Sequence, residues 1–190
     1  ERNTIQPMVA IDFVSPNTPA QPTPANNQIW YTAKIKAEPY YDDKYAFGAD
    51  VISNEWDSET GKGIITFDGN VTMVGNKAFY ECDNFITITL PNSVTTIGDG
   101  AFYGCISLTS VNIPDSVTTI GEAAFAWCDS LTSVDIPESV KTIGNSAFRD
   151  CKSLTSVNIP DSVTTIGDWA FAWCISLTSV NIPESVKTIG

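Results

Sequence analysis

Hydrophobic and polar positions repeat with a period of 23 residues through the second half of this 190-residue chain. Single residue types mark the period by returning in register. Cysteine stands at Cys82, Cys105, Cys128, Cys151 and Cys174, and proline at Pro91, Pro114, Pro137, Pro160 and Pro183. Phenylalanine returns at Phe79, Phe102, Phe125, Phe148 and Phe171, and glycine at Gly98, Gly121, Gly144, Gly167 and Gly190. Self-similarity of this length is typical of a solenoid, in which each coil buries its apolar face against its neighbours.

The first part of each repeat has a helix-like spacing. In residues 122–128, Phe125 precedes Cys128 by three positions, and Glu122 stands where a carboxylate favours a helix N-terminus. We therefore predict a short helical or 3₁₀ turn in this part of every coil.

The rest of each repeat predicts two extended segments. Val134 and Ile136 alternate with polar residues, which indicates a short strand with one buried face. Pro137 ends this strand, since proline cannot donate to a strand ladder. Residues 139–143 form the second segment, and Gly144 turns the chain into the next coil.

Stacked coils also arrange polar residues in columns. Equivalent residues should lie about 4.8 Å apart along a parallel sheet and face solvent. We take these columns as the candidate binding face. Its residues are Ser110, Asn112, Ser133, Asp135, Ser156, Asn158, Ser179 and Asn181.

The combined motif is Cys-x-x-Leu-x-x-Val-x-Ile-Pro-x-x-Val-x-x-Ile-Gly, carried in one coil by Ala124, Phe125, Cys128, Leu131, Val134, Ile136, Pro137, Val140, Ile143 and Gly144. It resembles the leucine-rich repeat, and more narrowly the BspA-like, or Treponema-type, repeats of bacterial surface proteins. The resemblance implies a mostly β solenoid with short helical turns and a source in a Bacteroides-like bacterium. It also implies adhesion to host or other cell-surface macromolecules.

Three segments divide the chain. Residues 1–27 indicate an N-terminal segment, with one short strand in residues 1–15, followed by a proline-rich linker. Residues 28–63 predict an N-terminal β cap, in which a strand at 28–37 precedes a hairpin. Residues 64–190 predict a leucine-rich repeat solenoid of about five repeats, the last one incomplete. The cap would cover the first core layer with the aromatic residues Trp30, Tyr31, Phe47 and Trp56.

The other end of the solenoid has no comparable cap in the sequence. Val180, Ile182, Val186 and Ile189 are expected to form an open apolar layer. Either further chain continues the coil, or another molecule covers the edge, for example as a homodimer.

Composition narrows the partners. The net charge of −12 and the pI near 4.1 argue against nucleic acid as a ligand. No apolar stretch is long enough to span a bilayer, and the first residues do not form a signal peptide. We expect an extracellular or cell-surface protein, secreted or held as an outer-membrane lipoprotein by an anchor outside this sequence.

The five cysteines are an odd number and cannot all pair internally. Stacked neighbours have parallel Cβ vectors, so their sulfurs do not converge as a disulfide requires. We therefore predict a structural ladder of buried, reduced thiols. Disulfides between neighbouring coils and a metal site are the alternatives, although a straight ladder does not surround a tetrahedral ion.

The sequence offers little catalytic chemistry. It has no histidine and no glycine-rich phosphate loop. Asp115, Glu138, Asp161 and Glu184 form one column after the prolines, which we interpret as solvated charges rather than a glycosidase pair. We expect no enzyme activity, no cofactor and no metal. Ca²⁺ near Asp42 and Asp43 is the alternative.

An aromatic patch is the second candidate site. Trp127, Trp169 and Trp173 lie on the turn side of the coils, where they would stack on sugars, dock a partner or simply cover the Phe and Cys core. The function we predict is adhesion through the solenoid surface to a protein or glycan ligand. The alternative is a structural spacer or self-assembly module that joins through its C-terminal edge.

Overall fold

The computed structural model describes residues 23–39 and 46–190 of the chain. These residues contain thirteen β-strands and no helix. The strand predicted within residues 1–15 and the Ca²⁺ candidates Asp42 and Asp43 lie outside the described residues.

Three sheets form the two walls of the solenoid, two on the first side and one on the second. The strands on the first side are β1 Gln28–Ala33, β2 Val51–Asp57, β3 Lys62–Phe67, β5 Phe85–Thr89, β7 Ser110–Asn112, β9 Ser133–Asp135 and β11 Ser156–Asn158. The strands on the second side are β4 Met73–Val74, β6 Thr96–Ile97, β8 Thr119–Ile120, β10 Thr142–Ile143, β12 Thr165–Ile166 and β13 Thr188–Ile189. Each complete coil contributes one strand to each wall, as predicted, but the strands are shorter than the predicted segments.

The coils stack in parallel with the predicted register. Thr87 pairs with Ser110 on one wall and Thr119 with Thr142 on the other. The order β13-β12-β10-β8-β6-β4 makes the second wall one continuous parallel sheet. Equal repeat lengths produce this register, since an offset in one coil would displace every buried residue from its neighbour.

The turn between the walls is not helical, and the prediction of a helical turn at residues 122–128 is wrong. The amides of Ala123, Phe125 and Trp127 donate to carbonyl oxygens of the next coil, each at 2.8 Å. Ala123 and Trp127 have positive φ angles of 51° and 62°. A helix would direct these amides along its own axis, whereas here alternate amides bind the neighbouring coil.

The core is a column of equivalent side chains. The rings of Phe79, Phe102, Phe125 and Phe148 are fully buried and stack with centroids 5.0–5.3 Å apart. Leu108, Leu131 and Leu154 are also fully buried, and Leu177 is partly buried. Each added coil thus removes one further set of apolar side chains from water.

Glycine permits the coils to approach closely where the second wall ends. A Cβ at Gly144 would lie 2.5 Å from the carbonyl carbon of Gly121 and 2.7 Å from the amide nitrogen of Glu122. No side chain fits in that space, which explains why glycine recurs at this position of each repeat.

The antiparallel strands β1, β2 and β3 extend the first wall in the order β2-β3-β1-β5-β7. They confirm the predicted hairpin between β2 and β3. The first predicted strand ends at Ala33 rather than at residue 37, and Ile35 is 56% exposed instead of facing inward. Tyr31 and Phe47 are buried. The ring centroid of Phe47 lies 5.4 Å from that of Phe79, the first ring of the phenylalanine column.

The last residues of the predicted linker pack on this sheet. The carbonyl oxygens of Asn26 and Asn27 accept hydrogen bonds from Val71 and Phe67 at 2.7 and 2.9 Å. The division into linker, cap and solenoid, and the capping role of residues 28–63, stay predictions.

Candidate binding surfaces

The predicted columns on the first wall face solvent. All eight side chains are exposed, and within residues 23–39 and 46–190 none of them takes part in a hydrogen bond or ion pair. They are Ser110, Asn112, Ser133, Asp135, Ser156, Asn158, Ser179 and Asn181. We call this set the sheet face. Its hydroxyl, amide and carboxylate groups are free to bind a ligand.

Neighbouring hydroxyl groups differ sharply from those of the sheet face. Thr109, Thr132 and Thr155 donate through Oγ1 to the carbonyl oxygen one coil earlier, at 2.9, 3.4 and 3.1 Å. A second column of serines also donates to the previous coil, and its members are Ser93, Ser116, Ser139, Ser162 and Ser185. These hydroxyls hold the coils together, so the same residue type has two separate roles in each repeat.

The predicted column of acids lies on the surface. Asp115, Glu138, Asp161 and Glu184 are all exposed, one to each coil. In the described part of the chain the ion pairs are Lys36–Glu38, Arg149–Asp150 and Lys152–Asp129, so the acids of this column have no such partner. These residues are solvated surface charges in the structure.

The three tryptophans of the predicted aromatic patch lie on the turn side. Trp127, Trp169 and Trp173 are 39%, 66% and 62% exposed. The Nζ atom of Lys152 lies 5.0 Å from the Trp127 ring centroid and 2.9 Å from Asp129 Oδ2. This cation–π contact stabilises the Trp127 indole in its position.

The sequence did not predict the backbone conformation of these tryptophans. All three have φ angles between 60° and 63°, in the left-handed region. A signal was present in the second coil, where Gly100 and Gly104 stand at the equivalent positions. The neighbouring Ile175 is 75% exposed, at a position that Ile106, Asp129 and Lys152 occupy in the three preceding coils.

The cysteines form a ladder of free thiols. Each Sγ atom donates to a backbone carbonyl, and the four fully stacked cysteines use a phenylalanine of the previous coil at 3.1–3.2 Å. Cys82 is the exception, because it is half-buried and donates to Glu38. Burial raises the pKa of the Cys82 thiol to about 12, aided by the nearby charges of Asp83 and Glu38. Burial also raises the pKa of Cys128.

The last described coil exposes the apolar layer that the sequence predicts. Ile182 and Ile189 are 46% and 57% exposed, while Val180 and Val186 are partly buried. Val180, Ile182 and Ile189 line a groove of about 670 Å³ together with Ile166 and Trp169.

Within residues 23–39 and 46–190, no helix is both long and apolar enough to cross a bilayer. The same residues include no group of three or more His, Cys, Asp or Glu side chains arranged to hold a metal ion.

Comparison with solved structures shows two similar chains at 41% identity. One is a leucine-rich repeat protein of T. pallidum, TpLRR, with a TM-score of 0.60; the match covers 62% of this chain and 56% of that one. The other is a leucine rich cell surface protein of Faecalibacterium prausnitzii, with a TM-score of 0.59 and coverage of 63% and 32%. This chain therefore matches about half of the first and a third of the second.

A third structure, the pneumococcal vaccine antigen PcpA, is 22% identical to this chain, with a TM-score of 0.50. The match covers 62% of this chain and 33% of that one, and it shows a shared fold alone. A search of curated proteins finds no match. The family model of the BspA type leucine rich repeat region matches residues 65–190 in six copies. A source in a Bacteroides-like bacterium stays a prediction. The resemblance seen in the repeat motif is confirmed, and the chain belongs to the BspA-type leucine-rich repeat family.

Proposed function

We propose that this chain is the binding module of an extracellular, surface-attached bacterial protein and that it adheres to a host or other cell-surface macromolecule through the sheet face. The family to which it belongs supports a repeat protein that binds other molecules. The description of the F. prausnitzii relative as a cell surface protein supports the location.

The observation that carries the proposal is the state of the polar groups on the sheet face. The side-chain hydroxyls of Ser133 and Ser156 are exposed and make no hydrogen bond within the described residues, whereas the hydroxyls of Thr132 and Thr155 beside them donate to the previous coil. A ligand that binds the free groups gives up only hydrogen bonds to water. The stacking of the repeat does not depend on these side chains.

Rigidity adds to the affinity that such a surface supports. Parallel pairing joins all coils along the second wall, and on the first wall it joins β5 to β7 and β9 to β11, which holds the polar columns in one arrangement before a ligand binds. A preorganised surface avoids part of the ordering cost of association. A long polar surface of this kind suits a macromolecule better than a small metabolite, which binds in a concave pocket.

The experiment measures binding to immobilised extracellular-matrix proteins by surface plasmon resonance. The variant Ser133→Lys/Ser156→Lys places two long cations at the centre of the sheet face and should weaken binding at least tenfold without lowering the melting temperature. Ser58→Lys, in the exposed turn after β2, is the matched control and should bind as the parent does. Equal binding by the double variant and the control would remove the sheet face as the site.

A second candidate function is self-assembly through the open apolar layer. The exposed Ile182 and Ile189 and the groove beside them support it. Sedimentation velocity over a hundredfold range of concentration should then show a dimer that Ile182→Lys abolishes. A monomer at every concentration would eliminate this candidate and leave the adhesive function untouched.

A further inference from the structure

The backbone of every coil has two left-handed positions on the turn side. The first is occupied by Lys77, Gly100, Ala123, Ser146 and Trp169, and the second by Glu81, Gly104, Trp127, Asp150 and Trp173. Their φ angles lie between 51° and 71°. We call Trp127, Trp169 and Trp173 the aromatic ridge.

Backbone energetics do not favour tryptophan at these positions. The left-handed conformation crowds Cβ against the backbone, and bulky side chains are rarely found there. Gly100 and Gly104 adopt the same angles without this strain. The fold therefore accepts glycine at both positions, and the ridge places three large side chains where they oppose stability.

Core packing does not account for them either. The interior of these coils is filled by Phe125 and Phe148, which are fully buried, while Trp169 and Trp173 are more than 60% exposed. Trp127 has coils on both sides of it and is still 39% exposed. Bulky residues that strain the backbone and still expose 39–66% of their surface are typical of a functional surface.

The spacing of the ridge follows the solenoid axis. Trp127 and Trp173 occupy the same position two coils apart, and the buried rings beneath them stack at intervals of 5.2 and 5.5 Å. Equivalent indoles thus recur at about 10 Å, which is two strand spacings. Trp169 precedes Trp173 in the same turn and widens the ridge there.

Polar and charged groups lie between the rings. Arg149 and Asp150 form an ion pair of 3.2 Å in the coil between Trp127 and Trp173. Lys152, which pairs with Asp129, lies over one face of the Trp127 ring, so a sugar would stack on the other face. A sugar chain combines apolar ring faces with hydroxyl edges, which matches flat indoles separated by hydrogen-bonding groups.

From this arrangement we propose that the aromatic ridge binds an uncharged, extended polysaccharide lying along the solenoid axis, with alternate sugar rings stacked on Trp127 and Trp173 and an end ring on Trp169. A net charge of −12 disfavours an anionic glycan by repulsion. The site is separate from the sheet face and does not rest on the adhesive function proposed above.

Affinity gel electrophoresis tests the proposal with hydroxyethylcellulose and α-mannan as neutral probes and polygalacturonate as the anionic one. A neutral probe should retard the protein, and polygalacturonate should not. Trp169→Gly/Trp173→Gly should weaken retardation by at least about tenfold, the value of one aromatic contact. The melting temperature should stay level or rise, because glycine relaxes the backbone. That combination distinguishes a binding role from a structural one.

Ala123→Gly and Ser146→Gly are the matched controls, because each places glycine at a left-handed backbone position of the turn without removing an indole. Both should keep the parent's retardation. Migration unaffected by either neutral probe would overturn the proposal, as would retardation that survives the loss of Trp169 and Trp173. A ridge that binds a protein but no neutral glycan would likewise overturn it. The variant Ser133→Lys/Ser156→Lys changes only the sheet face, so it should keep the parent's retardation.

Discussion

The Sγ atom of Cys128 lies 3.2 Å from the carbonyl oxygen of Phe102, one coil earlier in the stack. The same contact joins Cys151 to Phe125 at 3.2 Å. A thiol at this position fills apolar space and donates to a carbonyl that water does not reach. The cysteine ladder is therefore part of the packing between coils, and its chemistry should be visible in the stability of the protein.

We expect the free energy of unfolding to fall as the pH rises above about 8.5. Burial raises the pKa of Cys105 and Cys128, so both thiols stay protonated in the folded chain, while they ionise in the unfolded chain near pH 8.5. Their contribution is complete below that pH. Above it, ionisation of each thiol in the unfolded chain lowers the free energy of unfolding by up to about 1.4 kcal/mol per pH unit, until the pKa of the thiol in the folded chain is reached. Urea unfolding at pH 7, 9 and 10 measures the slope.

The control for this pH effect is the variant Cys105→Ala/Cys128→Ala, whose slope above pH 8.5 should be shallower than the parent's. The two proteins differ only at these two residues, so the difference between their slopes reports the thiols. Identical slopes would contradict the assignment.

Replacement of Gly144 by alanine should destabilise the solenoid by about 2 kcal/mol or more, because its Cβ would meet the backbone of Gly121 at 2.5 Å. Gly69→Ala is the matched control, since its Cβ would lie 3.6 Å from that of Ala49, an ordinary contact. Its effect should stay within about 0.5 kcal/mol. Thermal denaturation of the pair tests the close approach of the coils, and equal melting temperatures would refute it.

Truncation of Phe125 to alanine should cost about 3–5 kcal/mol, because the ring is fully buried between Phe102 and Phe148. Phe171→Ala should cost less, since Phe171 is only partly buried and stacks on Phe148 from one side. Urea denaturation gives both values. A larger loss at residue 171 would mean that the column is not the main source of stability.

Loss of the Asp99 carboxylate should weaken the joint between two coils. Its Oδ1 atom accepts a hydrogen bond from the Glu122 amide at 2.8 Å, and Asp99→Ala should cost about 1 kcal/mol. Asp99→Asn should be nearly neutral, because Asn145 makes the same bond to Asp168 two coils further on. Chemical denaturation compares them, and an equal loss for both variants would exclude the hydrogen bond as the cause.

The sequence determined the stacking of the coils. An unbroken period brings Leu131 above Leu108 in every alignment that buries both, so register follows from repeat length alone. Alternation along a strand likewise decides which residues point outward, and Ser133 and Asp135 are exposed as predicted.

Only the tertiary structure decided which backbone groups and hydroxyls are used between coils. Thr132 and Ser133 are adjacent hydroxyl residues, yet only Thr132 donates to a carbonyl of the previous coil. The non-helical turn has the same origin, since the amide of Phe125 binds Ala147 of the next coil. In each case the partner lies about one repeat away in sequence, so local propensity carries no information about it. The hydrogen bond forms only after the coils have stacked.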